Sequence, residues 1–186
     1  YEKELEYKEK QVKNLFDQAG LDINILAIKK SPIVEGYRNK MEYTFGDEEK
    51  DGPLALGLHK RGSFYDIVSV TDCQIVDEDY NKIQTTTLEY FTQLGTSFYK
   101  KMTHIGYLRH LLVRRATKTG EILVNLITST QWEENQITED DALDQWKQNL
   151  MDLKLNGKIV GILHTYNDRQ ADVIQNDKTD ILYGRD

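Results

Sequence analysis

The residues able to do chemistry in this 186-residue chain are mostly cations, and they come in groups. Arg38 and Lys40 stand at one end of a three-strand meander between Gly36 and Cys73, and His59, Lys60 and Arg61 stand at the other. Arg109, His110, Arg114 and Arg115 fall on a later hairpin, inside a stretch from Tyr90 to Gly120 that has six Lys or Arg and no acid. Guanidinium and ammonium groups gathered without competing carboxylates suit phosphate, so these are the candidate contacts to a nucleic-acid backbone. The net charge of −7 argues against that partner when taken alone, yet a phosphate meets a local patch rather than the sum. The compensating acids Glu133, Glu134, Glu139, Asp140, Asp141, Asp144 and Asp152 lie in one later segment, which predicts a bipolar molecule with one basic face. On these residues alone, chance clustering on a solvated helix and hairpin weighs about as much. An acidic protein partner for the basic stretch is a third reading.

Other chemistry finds little support. There is no His-Glu-x-x-His, no phosphate-cradling glycine loop and no Gly-x-Gly-x-x-Gly. No residue is assigned a catalytic role. His59 and His110 read as polar strand residues or RNA contacts, and His104 and His164 as structural. Tyr37 is the stacking candidate, with a core or strand-end role equally open. The single cysteine, Cys73, excludes an internal disulfide and suits a reducing, cytoplasmic compartment. On sequence alone it reads as a buried thiol. No apolar run approaches the ~20 residues of a membrane span.

These residues need elements to hold them. Leu5, Val12, Phe16 and Ala19 have helical spacing over 1–19, and Gly20 stops that helix. Met41, Tyr43 and Phe45, then Leu54, Leu56 and Leu58, alternate with polar or small residues as half-buried strands do; a third strand runs from Phe64 to Val70. A second helix is predicted to about Met102, burying Ile83, Thr87, Phe91, Leu94, Phe98 and Met102, with Gly95 as an earlier stopping point. Strands over 107–115 and 121–128 form the second hairpin. Thr138 with Asp141 opens a third helix that buries Leu143, Trp146, Leu150 and Leu153, and strands 159–164 and 180–183 follow. Hairpins followed by helices predict an α+β fold, an antiparallel sheet with helices packed on it.

The strings Tyr37-Arg38-Asn39-Lys40, Leu56-Gly57-Leu58-His59-Lys60-Arg61-Gly62-Ser63, Cys73-Gln74-Ile75 and Leu108-Arg109-His110-Leu111-Leu112-Val113-Arg114 together resemble the central domain of the SAM-dependent RNA uracil-5 methyltransferases. The resemblance extends over the whole chain. It implies that residues 1–20 form a helix linking to iron–sulfur and methyltransferase parts, 21–158 a central RNA-recognition domain, and 159–186 the lead-in to a Rossmann-like catalytic domain. The uncapped start at Tyr1 and the stop at Asp186 are accordingly expected to be cuts within a longer enzyme. The resemblance places Cys73 at the fourth ligand position of a [4Fe-4S] cluster whose other three cysteines would precede Tyr1. It implies S-adenosyl-L-methionine as the parent's methyl donor, with neither cofactor expected on this fragment. It also implies RNA as partner, 23S ribosomal RNA first, with the transfer-RNA branch of the family or a stand-alone RNA-binding module as alternatives. The remaining domains of the same chain would be further partners, and a membrane would not.

Overall fold

The computed structural model describes residues 1–63, 65–133, 137–170 and 177–186. Phe64, expected to open the third strand, and Glu134 of the acidic group lie outside the described residues. The elements follow in the order α1 (Glu2–Gln18), β1 (Lys40–Asp47), β2 (Leu54–His59), β3 (Ile67–Ser69), α2 (Glu78–Leu94), β4 (Leu108–Arg115), β5 (Glu121–Thr128), α3 (Glu139–Met151), β6 (Lys158–Tyr166) and β7 (Lys178–Gly184). The described strands make one seven-stranded sheet in the order β3-β2-β1-β4-β5-β6-β7.

The α+β class is as expected, but the sheet is mixed rather than antiparallel. β5 and β6 run parallel, with Val124 beside Ile162 and Leu126 beside His164. Parallel neighbours need a crossover, and α3 supplies it. A hairpin-and-helix reading treats α3 as a lid after a finished hairpin. In the fold it is the connection between two adjacent strands.

Strand parity then sorts the side chains. Met41, Tyr43, Val113, Leu111, Val124, Leu126 and Ile162 share one face and form a single buried cluster with Ile83 and Phe91 of α2 and Trp146 and Leu150 of α3. The helices lock to each other through that cluster: the Trp146 indole donates to Thr87 Oγ1 at 3.1 Å, and Tyr90 Oη donates to the Ala142 carbonyl at 2.8 Å. α3 begins at a Thr138 N-cap whose hydroxyl accepts from the Asp141 N–H at 3.2 Å, as the sequence predicts.

α2 stops at Leu94, about two turns short of Met102. Gly95 takes φ +70° as a left-handed cap, which a residue with a side chain adopts only at a cost. The chain beyond it turns back, and Phe98 pairs beside Leu108. Met102 is accordingly exposed rather than part of a helical stripe. β3 is also shorter than the predicted strand. α1 forms, yet of its expected stripe only Leu5 is buried; Val12 and Ala19 are exposed and Phe16 is half-buried.

A buried polar knot joins α3 to the sheet. Tyr107 Oη donates to Glu139 Oε1 at 2.7 Å, and Thr128 Oγ1 donates to the Ser129 carbonyl at 2.9 Å. His164 Nε2 completes the knot, 2.8 Å from Thr128 Oγ1 and 3.3 Å from Tyr107 Oη. His164 thus has the structural role read from the sequence. Burial holds its pKa down, at about 4.

Candidate nucleic-acid interface

The opposite face of the sheet carries Glu42, Thr44, His110, Leu112, Arg114, Leu123 and Asn125. The buried apolar residues on it, among them Leu112 and Leu163, stay outside the cluster that the helices join. At one end of this face Lys40 pairs in register with Arg114. Both side chains are exposed. Like charges directly opposite one another weaken an antiparallel pair. Lys40 Nζ lies 3.8 Å from Glu42, the outer limit of an ion pair. Arg38, exposed beside them, donates through Nε to the Lys40 carbonyl at 3.0 Å. A cleft of about 640 Å³ follows, whose lining includes Asn39, Lys40, Arg114, Arg185 and, beside them, the acids Glu121 and Asp186. Arg185 is already engaged with Glu121 at 2.7 Å. What the cleft can do is take an anionic group against Lys40 and Arg114.

The two adjacent arginines of β4 part as parity requires. Arg115 turns to the helix side and pairs with Asp77, with Asp79 Oδ2 3.7 Å away. It is held as a structural ion pair, whereas Arg114 stays exposed at one end of the opposite face.

The other predicted contacts divide. Tyr37 is 55% exposed. His59, Lys60 and Arg61 are exposed around the β2–β3 turn, where Lys60 N–H bonds the Asp66 carbonyl at 2.9 Å. His110 is buried, with Nδ1 3.3 Å from Thr44 Oγ1. Arg109 is buried too, at a bulge between β4 and β5, where it donates to the carbonyls of Asn167 and Arg169 at 2.6 and 2.8 Å and lies 4.1 Å over the Tyr99 ring. As placed, Arg109 and His110 fasten the sheet rather than face outward. The register is irregular at Arg109, and no periodicity announces the bulge or the distant carbonyls it meets.

Cys73 is half-buried in the bend before α2. Its N–H bonds Asn81 Oδ1 at 3.2 Å and its carbonyl accepts from Asn81 Nδ2 at 3.3 Å, so the side-chain amide clasps the backbone that presents the thiol. Four thiolates hold a four-iron cluster, and this sequence has one cysteine. Among the described residues no three His, Cys, Asp or Glu side chains gather as metal ligands. The residues here do not suffice for a cluster. Among the described residues no helix is long and apolar enough to cross a membrane.

No family model matches the chain. Along its full length it is 46% identical to an uncharacterized RNA methyltransferase of Clostridium tetani and 44% identical to one of Caldanaerobacter subterraneus subsp. tengcongensis, covering 40% of each. In structure it is similar to a Pyrococcus abyssi tRNA (uracil-54, C5)-methyltransferase solved with S-adenosyl-L-homocysteine, with a TM-score of 0.62 at 20% identity over the whole chain and 39% of that protein. The mixed sheet with its three described helices is therefore a fold found within a methyltransferase, and the chain is a homologue, end to end, of about two fifths of proteins named RNA methyltransferases.

Proposed function

We propose that this chain is the RNA-recognising portion of an RNA (uracil-5-)-methyltransferase acting on ribosomal RNA, 23S rRNA first, with the chemistry supplied by parts of the enzyme outside it. The observation that carries the reading is the in-register pair of Lys40 and Arg114 on the face away from α2 and α3, with Arg38 beside it. The physical role follows from the reaction. A uracil must leave its stack before a nucleophile reaches C6, at a cost of a few kcal/mol. A rigid cationic platform offsets that cost by holding the flanking strand, through phosphate contacts and through stacking on Tyr37. In this reading residues 21–158 recognise RNA, 1–20 and 159–186 lead to the catalytic parts, and Cys73 is one of four cluster ligands, the other three lying outside this sequence. S-adenosyl-L-methionine would serve the catalytic parts.

Affinity for single-stranded ribosomal RNA fragments, measured against salt, tests it. Arg114→Ala is expected to lower the salt slope by about one unit and to weaken binding across all sequences. Arg115→Ala is expected to change binding less and stability more. Wild-type affinity and slope in Arg114→Ala would remove this hairpin from the RNA surface.

A further inference from the structure

A second feature of the open face lies at the far end of β1. The β1–β4 ladder stops where Thr44 meets His110, and past that point the strand partner of Leu108 is Phe98. β1 and β4 therefore splay apart. The β2–β3 hairpin curls over the gap: β2 leaves β1 after Gly57, where a Cβ would meet the Val68 carbonyl oxygen at 1.9 Å, and Ile67 lies against Gly46, where a Cβ would meet its Cγ1 at 2.5 Å. Between this hairpin, the end of β1 and the turn after Phe98 is a groove of about 520 Å³. Tyr65, Ile67, Tyr99 and Met102 make its apolar lining, with Lys100 and Lys101 at its edge. Thr44 and Gly46 share strand parity with Lys40, so the groove and the Lys40–Arg114 cleft open on one face.

We propose that this groove takes a single unstacked nucleobase of the bound RNA, one that carries an exocyclic amine. The proposal rests on the RNA reading above. Tyr65 is 55% exposed and Met102 74% exposed, and Tyr65 Oη bonds Met102 Sδ at 3.3 Å, which joins ring and thioether into an apolar ledge at the surface. A tyrosine held in this way is a platform for a base, which any base can stack on. Lys100, half-exposed, paired with the exposed Asp51 at 3.3 Å and 5.6 Å over the Phe98 ring, is placed to exchange that carboxylate for a flanking phosphate. Selection comes from the acids. Asp47 accepts the Asp51 N–H at 2.9 Å and Asp51 holds Lys100, whereas the Asp66 carboxylate accepts no hydrogen bond from the described residues. A carboxylate accepts from the amine of cytosine, adenine or guanine. Uracil offers only N3–H, between two carbonyl oxygens that a carboxylate repels. With Asp66 in the lining the groove therefore favours a base with such an amine over uracil, so the base it holds is a neighbour of the reacting one.

Oligo-cytidine and oligo-uridine differ at the position that matters, the C4 amine against the C4 oxygen. Anisotropy titrations of the chain with fluorescent decamers of each are expected to show tighter cytidine binding by about ten-fold or more, one hydrogen bond to a charged acceptor. Asp66→Asn is expected to erase that ratio. Tyr65→Ala and, as a surface change that spares the fold, Met102→Glu are expected to weaken cytidine binding about ten-fold, the loss of one stacked base. Wild-type affinity in Tyr65→Ala and Met102→Glu, with Arg114→Ala still impaired, overturns the groove and leaves the RNA reading standing. Equal binding of the two decamers overturns the amine preference. Absence of salt-dependent binding to either decamer overturns both readings.

Discussion

Asp79 is the charge on which the largest stability effect should turn. It sits fully buried in the first turn of α2. Its Oδ1 accepts the Asn156 N–H at 2.8 Å and its Oδ2 accepts the Gly157 N–H at 2.7 Å, while Arg115 Nη1 lies 3.7 Å from Oδ2. One carboxylate thus ties the start of α2, the turn leading into β6 and the end of β4. Asp79→Ala would strand two amide donors and deprive Arg115 of one of its two acids. Hydrogen bonds to a charged group contribute about 1.5–3 kcal/mol each. Since Asp77 keeps part of the Arg115 pairing, the sum is set at about 3–5 kcal/mol, the range for breaking a buried pair from one side. For a domain of this size that corresponds to a fall in Tm of roughly 6–20 °C. Asp79→Asn keeps one acceptor oxygen and should cost about half as much. Urea unfolding followed by tryptophan fluorescence measures it, with the slope m checked for constancy, because Trp146 lies in the core that the carboxylate holds together. The reasoning is refuted if Asp79→Ala loses less than about 1 kcal/mol at unchanged m.

Two further outcomes are expected. His164, held neutral by burial with a pKa near 4, titrates in the unfolded chain near 6.5; the unfolded state therefore binds the extra proton first, and stability falls as pH drops from about 6.5 to 4, by roughly 3 kcal/mol in all. Tm measured across that window should show the decline, and His164→Gln should flatten its share of it. Lys40→Thr should raise stability by about 0.2–1 kcal/mol by relieving the like-charge pair with Arg114, and chemical denaturation beside an RNA salt titration should show that gain together with a lower salt slope.

Local features were legible where a single residue decides the structure. Thr138 predicts its own cap, Gly120 its own turn, and the alternation of Leu111, Val113 and Arg115 places Arg114 on the open face. The rest depends on partners distant in sequence. Nothing in residues 121–128 says whether the next strand will run parallel, because that follows from where α3 packs. Phe98 and Met102 continue a helical spacing that Gly95 interrupts, and spacing alone gives the glycine too little weight. Gly46 and Gly57 carried a signal that strand alternation obscured. A glycine inside a strand often marks close backbone approach, and here both glycines admit the folded-over hairpin that makes the groove. Arg109 shares the parity of Leu111 and Val113, but the bulge beside it and the carbonyls of Asn167 and Arg169 that it meets were unreadable.

The treatment of Arg114 and Arg115 argues that the open face is kept cationic at some expense. These neighbours have the same chemistry and the same backbone. On the helix side the fold surrounds Arg115 with Asp77 and Asp79 and ties one of them to two further amides. On the other side it sets Arg114 against Lys40, the one cross-strand arrangement that repels. Selection for stability alone would place an acid at one of those two positions, and Glu42, two residues from Lys40 on the same face, shows that an acid is compatible with this strand. A repulsion of that kind is relieved without changing the sequence when an anion bridges the two side chains. Binding is then strengthened by the relief as well as by the contacts, and in the function proposed above the anion would be a phosphate of the RNA.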